Sequence, residues 1–244
     1  MIKQEKIQHE IQLHRLLSEI LKDKYLSTNA FFKGGTCALM LGYLDRFSVD
    51  LDFDLGEKAD KKEFRKKLYN IFANLNLEVK DESKKALQFF LKYPSSSQRN
   101  TLKIEFLDNY YKSNIYKPIF IPSISMTGIC QTIETMFSHK LIAPLDRIKS
   151  GGKIAGRDIY DIHYFFTQGY GYIDDIIKER TKVSPLTHLT ELNDFVKKKV
   201  TKKIIDEDLN ILLDYKKFIS IRKYIKEELI KFIEAEIEGL ENNS

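Results

Sequence analysis

Apolar residues recur at intervals of three and four over residues 2–24. Ile7, Ile11, Leu13 or His14, Leu17, Ile20 and Leu21 form one stripe, and charged residues cover the opposite face. That spacing predicts an amphipathic helix. The same period returns over 60–75, where Phe64, Leu68, Ile71, Phe72 and Leu75 oppose Lys61, Lys62, Arg65, Lys66 and Lys67. Between these two segments the period falls to two. Phe47, Val49, Leu51 and Phe53 alternate with Ser48, Asp50 and Asp52, which predicts a strand over 47–53 with the apolar set facing a core. Further strands are expected over 76–82, 86–93, 101–108 and 119–121, with residues 94–100 as a loop. Beyond residue 125 the pattern is helical: 131–141, closing at Pro144, then 157–168, 172–182, 185–200, 206–214 and 215–238. The chain thus divides into a mixed half over 1–125 and a helical half over 126–244.

The chemistry gathers in the first half. Ser27-Thr28-Asn29 ends the first helix, and Phe31-Phe32 leads as a short strand into Lys33-Gly34-Gly35-Thr36. Two adjacent glycines permit a tight turn and close approach of a ligand to the backbone. Thr36 is placed to cap the apolar helix that begins with Cys37, and a helix start beside glycines suits phosphate. Asp50 and Asp52 share one strand face. Two carboxylates so placed repel each other unless a cation lies between them, and Mg²⁺, which brings a triphosphate with it, answers that need.

These residues carry a resemblance. Lys33-Gly34-Gly35-Thr36 followed by Arg46-x-Ser48-x-Asp50-Leu51-Asp52-Phe53 resembles the signature of the AbiEii/AbiGii-type nucleotidyltransferase toxins, within the wider DNA polymerase β-like nucleotidyltransferase superfamily. Downstream, His139-Lys140-Leu141 to Arg147 and Arg157-Asp158-x-x-Asp161 resemble the family's second motif, with Pro144 and the insertion Ser150-Gly151-Gly152-Lys153 as departures. The likeness spans residues 25 to 170. It implies an α+β fold: a polymerase β-like core with a mixed sheet, followed by a helical domain that completes the active cleft. It implies a Mg²⁺-dependent enzyme, with a two-metal site, that transfers a nucleoside monophosphate from an NTP to RNA, a tRNA 3′ end. Such an enzyme is the toxin of a type IV-like toxin–antitoxin or abortive-infection system, with its antitoxin encoded alongside.

On that resemblance Asp50 and Asp52 hold metal, and Glu105, on the 101–108 strand, supplies the third carboxylate. From the residues alone, Glu105 equally suits an ion pair with Lys103. Gly34, Gly35 and Thr36 cradle the triphosphate, with Arg46, Ser48 and Lys140 as further nucleotide contacts. Asp161 is the active-site acid paired with Lys140, and Asp158 belongs to an Arg–Asp network docking the helical half onto the sheet. His9, His14 and His163 are expected to pack rather than to bind metal. Two other readings keep part of this picture: the same chemistry on a protein or small-molecule acceptor, and a metal-free scaffold that binds RNA or a partner. Intact Gly34, Gly35, Asp50 and Asp52 argue against the scaffold.

Composition adds little and excludes some classes. The chain has 244 residues, 43% hydrophobic and 31% charged, as expected of an ordinary globular protein. Two cysteines, Cys37 and Cys130, exclude a disulfide framework. A net charge of +5 fits a protein that meets a polyanion. The polar start Met1-Ile2-Lys3-Gln4 shows no signal peptide, and no apolar run reaches membrane-spanning length, so a cytoplasmic location with no membrane partner is expected.

Overall fold

The computed structural model describes residues 3–95, 100–108 and 111–242, so part of the expected 94–100 loop lies outside the described residues. The chain forms two compact units. The first comprises Met1–Tyr110 with Ile115–Thr132, and the second comprises Tyr111–Asn114 with Ile133–Ser244.

The first unit is built on a seven-stranded mixed sheet. Its strands are β1 (Ala30–Lys33), β2 (Asp50–Leu55), β3 (Glu78–Glu82), β4 (Leu87–Lys92), β5 (Thr101–Leu107), β6 (Tyr116–Ile121) and β7 (Met126–Gln131), in the order β3-β4-β5-β2-β1-β7-β6. Its helices are α1 (Lys3–Lys22), α2 (Lys24–Asn29), α3 (Gly34–Met40) and α4 (Lys61–Asn74). β2 lies at the centre, antiparallel to β1 and parallel to β5. A line of aromatic rings crosses these strands: Phe32 to Phe53 at 5.2 Å, Phe53 stacked on Phe106 at 4.7 Å, and Phe64 of α4 edge-on to Phe106 at 5.5 Å. Large rings in offset and edge geometry bury much apolar surface across these strands. α1 contributes Leu13, Leu16, Leu17, Ile20 and Leu21, all buried.

Several expectations shift. The first helix breaks at Asp23 rather than at Ser27–Asn29, because the Asp23 carboxylate caps α2 by accepting from the N–H groups of Tyr25 and Leu26. The strand expected over 47–53 runs from Asp50 to Leu55 instead. Phe47 and Val49 are half-buried, not core, and the Val49 carbonyl accepts from His9 Nε2 at 2.8 Å instead of from a neighbouring strand. The boundary expected at 125 falls after Thr132, because Met126–Gln131 is an interior strand. Gly128 interrupts its alternation of side chains. A Cβ there would come within 3.2 Å of Leu21 Cδ2, so glycine lets α1 lie close on the sheet.

The second unit is helical: α5 (Ile133–Lys149), α6 (Gly156–Thr167), α7 (Asp174–Thr181), α8 (Pro185–Lys199), α9 (Lys202–Leu212), α10 (Tyr215–Ile221) and α11 (Ile225–Asn242). α5 does not end at Pro144. It continues to Lys149 with Leu141, Pro144 and Leu145 buried, so packing outweighs the missing N–H. The helix expected over 215–238 is two, α10 and α11, parted at Arg222–Tyr224. Its apolar stripe still reads through the break, since Phe218, Ile225, Leu229 and Ile233 are buried.

Candidate active site

The centre of the first unit brings together eight of the residues singled out by sequence. β1 delivers the Gly-Gly turn beside the two-carboxylate strand, with Lys33 opposite Asp52 in the antiparallel register. Gly34 has φ +78°, and a Cβ there would stand 2.7 Å from Asp52 Oδ2. Glycine is therefore required twice over, by backbone conformation and by contact with the carboxylate. A Cβ on Gly35 would lie 3.1 Å from both Arg46 Nη2 and Ser48 Oγ.

Thr36 does not cap α3. The N-cap is Lys33, without a side-chain bond, and Thr36 sits inside the first turn, 1% exposed. Its hydroxyl donates to the Asp50 carbonyl and is joined to Ser48 Oγ at 2.9 Å. Thr36 thus fixes the start of β2, with His9 holding the preceding carbonyl. His9 is itself steadied by Tyr93 Oη at 3.1 Å. Buried among these groups, it titrates below the usual histidine range. Arg46, 4% exposed, donates to the Phe47 carbonyl at 3.1 Å.

On the other side of β2 the parallel register sets Asp50 opposite Lys103 and Asp52 opposite Glu105. Burial, then the charge of Asp50, raises the Asp52 carboxyl to about 6. Glu105 adds to the rise, while Lys103 and Lys33 oppose it. Glu105 makes the lysine pair that its sequence context allowed: Oε2 accepts from Lys103 Nζ at 2.7 Å, and Oε1 from Gln88 Nε2 at 2.7 Å.

Asp54 continues the same strand face and was not singled out by sequence, although its i+2 spacing from Asp52 signals it. It is 4% exposed and accepts from Lys33 Nζ at 2.5 Å, Tyr116 Oη at 2.8 Å and Gln131 Nε2 at 2.9 Å. Nothing in the local sequence marks Tyr116 or Gln131.

In the helical unit Lys140 Nζ meets Asp161 Oδ2 at 2.7 Å, joining α5 to α6, and Asp161 is fully buried. Arg147 Nε donates to Asp158 Oδ2 at 2.9 Å. That pair also links α5 to α6, so Asp158 works inside the helical unit rather than toward the sheet. His163 packs as expected, with Nε2 donating to Glu228 at 2.8 Å.

Among the described residues no three His, Cys, Asp or Glu side chains are grouped so that they could hold a metal ion, so the expected trio of Asp50, Asp52 and Glu105 is not assembled. Mg²⁺ asks for less: one or two carboxylates, with water and substrate phosphates supplying the rest. Asp50 and Asp52, the latter raised to about 6 first by burial and then by the charge of Asp50, are a donor set of that kind. Among the described residues no helix is long and apolar enough to cross a membrane.

A mixed sheet whose central strand carries paired carboxylates beside a glycine turn, followed by a helical unit, suits a nucleotidyltransferase, and the family match shows that class. The chain belongs to the family described as "Nucleotidyl transferase AbiEii toxin, Type IV TA system", whose model matches residues 15–228. Membership implies an NTP substrate and a cognate antitoxin. Two solved structures share the fold over the full length. One is from H. pylori and is described as a candidate nucleotidyltransferase. It has a TM-score of 0.63 and 20% identity, and the match covers 100% of this chain and 99% of that one. The other is JHP933 from Helicobacter pylori, with a TM-score of 0.57 and 20% identity, covering 99% of each chain. No curated protein matches the chain.

Proposed function

We propose that the chain transfers a nucleoside monophosphate from an NTP to an RNA acceptor, a tRNA 3′ end, with Mg²⁺ as cofactor. The observation that carries this reading is the Gly34–Asp52 contact, which puts a glycine turn directly against a carboxylate of raised pKa.

Asp50 and Asp52 would hold the metal; Glu105, opposite Asp52 in register, is the third carboxylate that the family resemblance implies, and it would have to leave Lys103 or Gln88 to join them. When bound, Mg²⁺ neutralises phosphate charge and favours an in-line displacement. The chain's own groups do the rest. The Gly34–Gly35 backbone admits the triphosphate, Arg46 offers its guanidinium beside Gly35, and Thr36 and Ser48 brace the turn against β2. Lys140, paired with Asp161 inside the helical unit, has a nucleotide role only through the family resemblance. A hydroxyl oxygen of the acceptor bonds to the α-phosphorus as its proton is released to solvent, the bond from that phosphorus to the α–β bridging oxygen breaks, and pyrophosphate leaves.

The test is incubation with each α-labelled NTP, Mg²⁺ and total RNA. Label in the tRNA fraction, absent with Asp52→Ala, is expected. Label that appears only in protein, or equal labelling by Asp52→Ala, overturns the reading.

A further inference from the structure

The segment Tyr215 to Lys226 holds five cations and no carboxylate. Three of the five have structural work. Arg222 pairs with Asp206, Nε to Oδ1 at 2.9 Å. Lys226 Nζ donates to the carbonyls of Lys197 at 3.0 Å and Val200 at 2.8 Å, tying the end of α8 to α11. Lys217 lies over the rings of Tyr160 and Tyr164, 5.8 and 5.3 Å from their centroids.

Lys216 and Lys223 are different. Both are exposed, and neither enters an ion pair among the described residues. They line one open groove with Ser220, Ile219, Ile221 and Tyr224, a residue 59% exposed. Glu228 also borders the groove, with its carboxylate held by His163. The groove therefore offers two uncommitted ammonium groups, a hydroxyl and a bare aromatic face.

We propose that this groove, at the junction of α10 and α11, binds the acceptor RNA, with Lys216 and Lys223 on phosphates and Tyr224 under a base. The proposal rests on the RNA-acceptor reading given above and names its docking surface. Unpaired lysines interleaved with an exposed aromatic are the elements of sequence-tolerant single-strand binding. A lipid surface would instead be met by a continuous exposed apolar face. Here the groove's apolar residues Ile219 and Ile221 are half-buried and are interleaved with cations and Ser220. The stacked pair Tyr160 and Tyr164 beneath Lys217 belongs to α6, the helix that carries Asp161. The groove and the Lys140–Asp161 pair therefore lie in the same helical unit.

The experiment is fluorescence anisotropy of the full chain with a single-stranded RNA oligonucleotide, run with wild type, K216E/K223E, Y224A and the sheet-unit control K80E. Melting temperatures confirm folding, and calorimetric NTP binding reports on the nucleotide site. The double reversal is expected to weaken RNA binding by more than tenfold and to flatten the slope of log K against log salt by about 1.4, the share of two phosphates. Y224A is expected to lose at least about fivefold. NTP affinity and the K80E protein stay unchanged. Wild-type RNA binding that the groove variants leave intact overturns the surface but leaves the RNA reading standing. No RNA binding by wild type, or groove-dependent binding to phosphatidylglycerol vesicles in its place, overturns both.

Discussion

Gly34 and Asp52 are locked together: a single methyl group on the glycine would sit 2.7 Å from the carboxylate oxygen that the mechanism needs. Gly34→Ala therefore carries two penalties. One is the left-handed φ of +78°, costing about 1–2 kcal/mol. The other is displacement of Asp52. Gly42 separates them, because it has φ +76° with nothing within 4 Å of its Cβ position. We expect Gly42→Ala to lower the melting temperature and spare turnover per folded molecule. Gly34→Ala should lower the melting temperature and abolish transfer. Equal specific activity in the two would refute the coupling.

Asp52 also predicts a pH dependence. Its carboxyl is raised from the ordinary range near 3.8 to about 6, so the native state holds the proton more tightly than the unfolded chain. This contribution is fully present below about pH 4 and is lost as pH rises through 6. The loss amounts to roughly 2–3 kcal/mol at neutral pH at most. Metal-free Asp52→Asn escapes it. Its melting temperature should match wild type at pH 4 and exceed it at pH 8, while transfer is abolished. Added Mg²⁺ should raise the wild-type melting temperature at pH 8 and leave the variant unmoved. A variant less stable than wild type at pH 8 would contradict the electrostatic argument.

The Lys140–Asp161 pair invites a double mutant. Lys140→Ala leaves a fully buried carboxylate without its lysine, a loss of about 3–5 kcal/mol. Any fall in activity could then be a folding defect. Replacing both, Lys140→Met with Asp161→Leu, removes the charges together and should restore much of the melting temperature. If Lys140 serves the nucleotide, turnover of the double variant stays down by a factor of about ten or more. Recovery of turnover with stability would make the pair purely structural.

The sequence carried the strand that bears Asp50 and Asp52, because period-two alternation is local. It carried the Lys140–Asp161 pair only through resemblance, since the partners lie 21 positions apart and nothing local joins them. Asp54 was legible in principle, being two residues beyond Asp52. Its apparent place at the end of the run hid a buried acceptor of three hydrogen bonds. β7 was lost for a different reason. Gly128 answers to Leu21, more than 100 residues earlier, and no local pattern records such a contact. The role of His9 was equally invisible, because its partners Val49 and Tyr93 are set by the packing of α1 on the sheet.

Ser48 gives the last test, because its environment differs from the one its spacing suggested. It precedes β2 rather than lying within it, and its hydroxyl bonds Thr36 Oγ1 at 2.9 Å. It also stands 3.1 Å from where a Gly35 Cβ would be, on the side of the turn that Arg46 shares. Removing the hydroxyl costs one hydrogen bond, about 1 kcal/mol, and leaves the Thr36 hydroxyl still donating to the Asp50 carbonyl. Ser48→Ala should therefore melt slightly lower and retain most of its transfer activity. Ser48→Glu puts a carboxylate beside the Gly34–Gly35 turn, where it competes with phosphate for the Arg46 guanidinium. It should weaken NTP binding by at least about tenfold, the scale of one charge-assisted contact. Raising salt should not restore binding, because the new charge sits beside a buried cation where screening is weak. Normal NTP affinity in a folded Ser48→Glu protein would place the triphosphate away from Gly35, and the assignment of the glycine turn would fall with it.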